Sequence, residues 1–210
     1  MINLKLFRRP VSATDKSMKQ KARSRIDALV PLLKDPVPGV RAAAAEAIEK
    51  LEAISAVDDI LATLKTGSMG ARVGAIYALG EIGGEKVLPP LVYCARRPEV
   101  DLRSAAVEVL GLLALPAALP VVAELLDDEN PTVQGRAIAA LRYFSPSPDV
   151  LNKLRHFLSA SDGVLEAEAA MTLAGLNDQY SLGRIRALLA SGHASTRQAA
   201  ATALSIMPLQ

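Results

Sequence analysis

The side chains best suited to move protons, hold a metal or attack a carbonyl are few in this chain: two histidines, His156 and His193, and one cysteine, Cys94. The histidines stand 37 residues apart, so neither an H-x-x-x-H nor an H-E pairing puts two ligands on one helix turn. A glycine-rich phosphate loop and a G-x-S-x-G nucleophile elbow are also missing from the sequence. A metal-dependent or hydrolytic enzyme is therefore not expected, and no catalytic, cofactor-binding or metal-binding residue is assigned. A single cysteine excludes an intramolecular disulfide and any multi-cysteine metal cluster, and it suits a reducing compartment, so a cytoplasmic location is expected.

The elements around these residues explain the sparseness. "VRAAAAEAIEKL" from Val40 recurs as "ARVGAIYALGEI" from Ala71, "LRSAAVEVLGLL" from Leu102, "VQGRAIAALRYF" from Val133, "LEAEAAMTLAGL" from Leu165 and "TRQAAATALSIM" from Thr196. The second position of each copy, Arg41, Arg72, Arg103, Gln134, Glu166 and Arg197, repeats every 31 or 32 residues. Three positions on, alanine stands every time: Ala44, Ala75, Ala106, Ala137, Ala169 and Ala200. Ile48, Leu79, Leu110, Leu141, Leu173 and Leu204 follow four later, and spacings of three and four mark one buried helix face.

A second apolar stripe precedes each copy, from Ile26, Leu29 and Leu33 in the first to Leu182, Ile185 and Leu189 in the last. Turns rich in Asp, Ser, Gly and Pro, such as "DPVPG" from Asp35 and "DENP" from Asp128, separate the two stripes. Such residues stop one helix and cap the next, so Asp35 and Asp128 are expected as caps or arginine partners. Each unit reads as a helical hairpin that cannot bury its apolar face alone and must stack on its neighbours. The expected fold is all-α, a right-handed superhelix of six hairpins (about 26–54, 55–85, 86–115, 116–147, 148–179 and 180–210), preceded by a basic segment, 1–25. The invariant alanine lets second helices of adjacent hairpins approach closely. In this register Cys94 aligns with core positions and His156 with positions of mixed polarity, which makes one a small buried residue and the other a solvated one.

Composition agrees with this reading. Half of the 210 residues are hydrophobic but only 3% aromatic, with no Trp, so the core must be Leu, Ala, Val and Ile at close helix crossings. No apolar run reaches membrane-spanning length, and no secretory signal is legible at the N-terminus.

Hairpins of this length, with a second helix opening on V-R and continuing A-x-x-A-L-G-x-I, resemble the HEAT repeat, in particular the short bacterial variety of phycobilisome lyases. The resemblance covers residues 26–207. It implies that Arg41, Arg72, Arg103 and Arg197 form a structural ladder with Asp of the turns, from which Gln134 and Glu166 depart. A hydroxylase of this family carries His-Glu metal ligands that this chain lacks, and a related DNA glycosylase grips DNA with basic and aromatic residues.

Opposite the buried alanines, the second helices present an exposed ridge. It carries Tyr77, Glu108, Leu112, Arg136, Arg142, Tyr143 and Met171. Because it is small, apolar and partly acidic, DNA in this groove is not expected. Tyr, Arg and large apolar side chains are the usual anchors of protein interfaces, so the expected function is a non-enzymatic scaffold that binds another protein there, as a monomer or weak dimer. Two alternatives stand beside it. The resemblance allows an accessory subunit of a bilin lyase. Residues 1–25, with eight bases against Asp15, allow a nucleic-acid-binding arm, although the stretch from about Asp15 onward is better read as an extension of the first helix that caps the first hairpin with a polar face.

Overall fold

The computed structural model describes residues 13–209, and the side chains of these except 13–19, 53–56 and 58. Every regular element among the described residues is helical. The fold is all-α, built of helical hairpins, and the chain divides into two compact units, up to Ile82 and from Gly83 onward.

The first unit holds α1 (Ala13–Leu29), α2 (Pro38–Thr66) and α3 (Met69–Ile82), with α2 packing on both of the others. The basic stretch from Asp15 to Arg25 thus lies on a helix, while the part of the expected N-terminal arm before residue 13 lies outside the described residues. The junction expected near residue 54 falls inside α2, which runs unbroken for 29 residues. The reason is local: "LEAISAV" from Leu51 has neither Gly nor Pro, so nothing interrupts the i to i−4 hydrogen bonds.

At each later junction the helix is broken, by Gly, by Pro or by a left-handed residue. Gly83 and Gly84 have φ of 68° and 74°, Ala114 and Asn177 are left-handed at 48° and 56°, and Pro146 and Pro148 interrupt "SPSP". The second unit accordingly alternates short first helices, α4 (Leu88–Cys94), α6 (Leu119–Glu124), α8 (Pro148–His156) and α10 (Leu182–Ala187), with second helices α5 (Val100–Leu113), α7 (Pro131–Ala140), α9 (Leu165–Gly175) and α11 (Ala194–Ile206). The second helices stack in the order α5, α7, α9, α11.

The alanine column lies at the crossings. Ala106, Ala137, Ala169 and Ala200 are fully buried, and Ala44 and Ala75 are buried in the first unit. Leu79, Leu110, Leu141 and Leu173 are fully buried four residues later. Cys94 is buried as well, as a thiol outside any disulfide. Two stripe positions differ from expectation: Leu33, at the first turn, is 40% exposed, and Leu189 is exposed while Leu188 takes its place in the core. A 3₁₀ turn, Leu188–Ala190, winds three residues per turn and brings Leu188 rather than Leu189 below Ile185.

The arginine column staples each second helix to the turn before it. Arg41 Nη1 donates to the carbonyls of Asp35 and Pro36 at 2.8 and 3.1 Å. Arg103 Nη1 does the same to Arg97 and Pro98 at 2.9 and 2.7 Å, and Arg197 Nη1 to Ser191 and Gly192 at 2.7 and 3.1 Å. Arg72 Nε and Gln134 Nε2 instead reach back to the Leu64 and Leu126 carbonyls at 3.1 and 3.3 Å. Turn carbonyls left over at helix ends need donors, and this column supplies them. Asp35 Oδ1 accepts from the Val37 amide at 2.8 Å and Asp128 Oδ1 from the Asn130 amide at 2.9 Å. Arg103 in addition reaches a turn aspartate of the next hairpin, Asp128, while the contacts to backbone oxygens make the column chiefly a carbonyl clamp.

Candidate protein-binding groove

The exposed faces of α5, α7 and α9 form a shallow groove in the second unit. Glu108 and Leu112, one turn apart on α5, face Arg136 and Ala139 on α7 and Glu168 on α9. Arg142 and Tyr143 project from the 3₁₀ turn Leu141–Tyr143 that ends α7. Together these residues line a hollow of about 280 Å³. The sequence-derived ridge residues Glu108, Leu112, Arg136, Arg142 and Tyr143 are therefore brought together.

A second hollow, of about 460 Å³, adjoins the first and shares Arg136, Ala139 and Glu168 with it. Val164 stands at its edge, 63% exposed, beside Thr132 and Leu165. The ridge pattern missed Val164 because it precedes α9 and obeys no helical period. The available signal was a large apolar residue inside the otherwise polar turn "SDGVL".

Two ion pairs tie the ridge across its helices. Arg136 Nη1 lies 3.2 Å from Glu108 Oε2, and Arg142 Nη2 lies 3.5 Å from Glu168 Oε2. The charges run acid, base, base, acid, so the arginines are neutralised from both sides rather than forming one basic end. All four side chains are roughly a third to a half exposed, and pairs of that kind contribute only about 0–1 kcal/mol. Either arginine can exchange its carboxylate for a partner's at little cost. Leu112 and Tyr143 are 62% and 51% exposed beside these pairs.

The remaining ridge residues, Met171 and Tyr77, are not among those that line the hollows. Met171 is half-buried on α9, one turn past Glu168. Tyr77 is 42% exposed on α3 in the first unit. The histidines do not converge: His156 Nδ1 lies 2.7 Å from the Asn152 carbonyl on its own helix, and His193 precedes α11 in a turn. No cluster of three or more metal-ligating side chains occurs among the described residues. No described helix is long and apolar enough to cross a membrane.

Comparison with known proteins bears on the fold. The family model for HEAT repeats matches residues 26–110 and, in an overlapping alignment, 88–171. The solved complex of CpcE and CpcF of phycocyanin lyase from Nostoc sp. PCC7120 contains a chain of similar fold, at 22% identity and a TM-score of 0.60 over 72% of this chain and 99% of that one. An engineered protein is 19% identical over 87% of this chain and 96% of its own, with a TM-score of 0.49. No curated protein sequence matches. Family matches that span most of the helical hairpins join the repeated alanine seam and the turn-clamping column in one conclusion: the chain belongs to the HEAT-repeat family.

Proposed function

We propose that this protein is a non-enzymatic interaction scaffold that holds a segment of another protein in the groove of α5, α7 and α9. The observation that carries the reading is the exposure of Leu112 and Tyr143 beside two arginines whose present ion pairs are weak. Exposed apolar surface favours burial, at roughly 25 cal/mol per Å², and Tyr and Arg at the centre of a contact supply most of its energy. A segment that offers an apolar side chain to Leu112 and Tyr143 and a carboxylate to Arg136 or Arg142 fits this surface.

Paired affinity captures from the source cell test it. Wild-type protein and a Leu112→Asp, Tyr143→Ala variant, both checked for unchanged thermal melting, are used as bait. A partner held by the wild type and lost from the variant supports the groove, whereas an identical set of captured proteins overturns it.

The fold shared with a chain of the phycocyanin lyase complex supports a second reading, an accessory role in attaching a tetrapyrrole to a protein. Mixing the chain with free bilin separates the two: a shifted and strengthened visible band favours the lyase-like role, and an unchanged spectrum removes it.

A further inference from the structure

Glu166 occupies the place that Arg103 and Arg197 hold in their own hairpins, and it inverts the polarity of the clamp. Its Oε1 accepts from the Ser161 amide at 2.9 Å, and its Oε2 accepts from Thr196 Oγ1 of the next hairpin at 3.1 Å. Ser161 is left-handed, with φ of 58°, and so offers an amide where the other turns offer carbonyls. Glu166 is only 5% exposed, yet no Lys, Arg or His forms an ion pair with it among the described residues. A buried carboxylate held by neutral donors alone has an incompletely compensated charge.

The space beside it is open. A hollow of about 360 Å³ lies between the turns of the fifth and sixth hairpins, lined by Glu166, Ser161, Ala187, Ala190, Ser191 and His193 among others. The junction between the third and fourth hairpins shows what such a place can contain. There Arg103 meets Asp128 of the following turn through two hydrogen bonds, 2.7 and 3.0 Å long. Ser191 aligns with Asp128 and Glu166 with Arg103, so this later junction keeps one carboxylate but has no guanidinium to meet it. Arg197 forms no ion pair with Glu166 among the described residues; its Nη1 donates to the Ser191 and Gly192 carbonyls of its own turn.

We infer that the hollow between the fifth and sixth turns is a receptor for a guanidinium group, supplied by an arginine side chain of a protein partner, with Glu166 as its anion. A planar guanidinium suits the place better than an ammonium, since it can bond Glu166 in the carboxylate plane while its other edge meets hydroxyl and carbonyl groups of the turns. This site lies on the turn edge of the hairpins and shares no lining residue with the groove.

The test is titration of the isotopically labelled full chain with the peptide Ac-Gly-Arg-Gly-NH₂, followed through the amide resonances of Ser161, Ser191 and Gly192. The lysine and citrulline versions of the peptide and free L-arginine serve as comparisons. Saturable shifts are expected with the arginine peptide, with the lysine peptide, the citrulline peptide and free arginine weaker. Glu166→Gln should weaken the arginine peptide by at least about tenfold. Should that variant unfold, Ala190→Phe reads the same site, because Ala190 is exposed at the mouth of the hollow and a ring there obstructs entry without touching Glu166. No saturable shift with the wild type, equal binding of the lysine or citrulline peptide, equal binding of free arginine, or unchanged binding in the folded variants would each overturn the inference.

Discussion

Arg103 and Asp128 face each other edge to edge across two hairpins: Nε to Oδ2 at 2.7 Å and Nη2 to Oδ1 at 3.0 Å, with both side chains less than a tenth exposed. The same guanidinium donates to two carbonyls of its own turn, so one side chain closes its own hairpin and fastens the next.

Removing one side of this pair strands the other in a buried place. Arg103→Ala is expected to destabilise the chain by about 3–5 kcal/mol, read from urea unfolding. An apolar pair, Arg103→Met with Asp128→Leu, should recover part of that loss, although two turn carbonyls remain without their donor. Equal stability of Arg103→Ala and wild type would show that the fastening contributes nothing.

Acid should weaken a second arginine–aspartate pair, Arg155 with Asp178 inside the fifth hairpin. Burial alone would raise the Asp178 carboxyl, but bonds from Arg155 and Ser181 outweigh it and hold the group below its usual range. A carboxylate with a depressed folded pKa contributes fully above its unfolded value of about 3.9. The contribution is lost as pH falls through the folded value. Asp178→Asn should therefore be less stable than wild type at pH 7, with the gap closing below about pH 4. Urea midpoints at several pH values test this, and a gap independent of pH would contradict it.

Helix spacing sets the cost of small additions. A methyl group at Gly111 would lie 2.6 Å from Ala140 Cβ and 2.9 Å from its Cα, on the facing helix backbone. Gly111→Ala and Ala106→Leu should each cost roughly 1–3 kcal/mol by overpacking. Gly183→Ala meets nothing within 4 Å and should stabilise α10 by about 0.5–1 kcal/mol. Melting curves that rank the three otherwise would refute the close-seam account.

Ala114 closes α5 in a left-handed conformation, φ 48° and ψ 28°, where glycine is usual. Ala114→Gly relieves the Cβ clash and should raise stability by about 0.5–1 kcal/mol, net of the entropy glycine loses on folding. An unchanged or lowered melting temperature would mean that the strain is absorbed elsewhere.

The groove was legible only in part. Glu108 and Leu112, and likewise Gly135 and Ala139, fall on one face by helical spacing, which needs only 3.6 residues per turn. Their pairing across helices was not legible. That Arg136 turns to Glu108 and Arg142 to Glu168 depends on how far each helix slides along its neighbour, and no single-helix period contains that offset. Tyr77 shows the converse limit: its pattern matches the ridge, but it belongs to the first unit.

By itself the sequence determined the repeat, the helical hairpins and the alanine seam, because each follows from local period and from the volume one residue type can occupy. It also marked Glu166 as the departure in the arginine column. Only the tertiary structure decided that Glu166 accepts from Ser161 and Thr196 beside an open hollow, that α2 carries on through the first junction, and that Leu188 replaces Leu189 in the core. Those outcomes depend on backbone conformation at turns and on contacts between residues about thirty positions apart, where geometry in space, rather than order along the chain, chooses the partner.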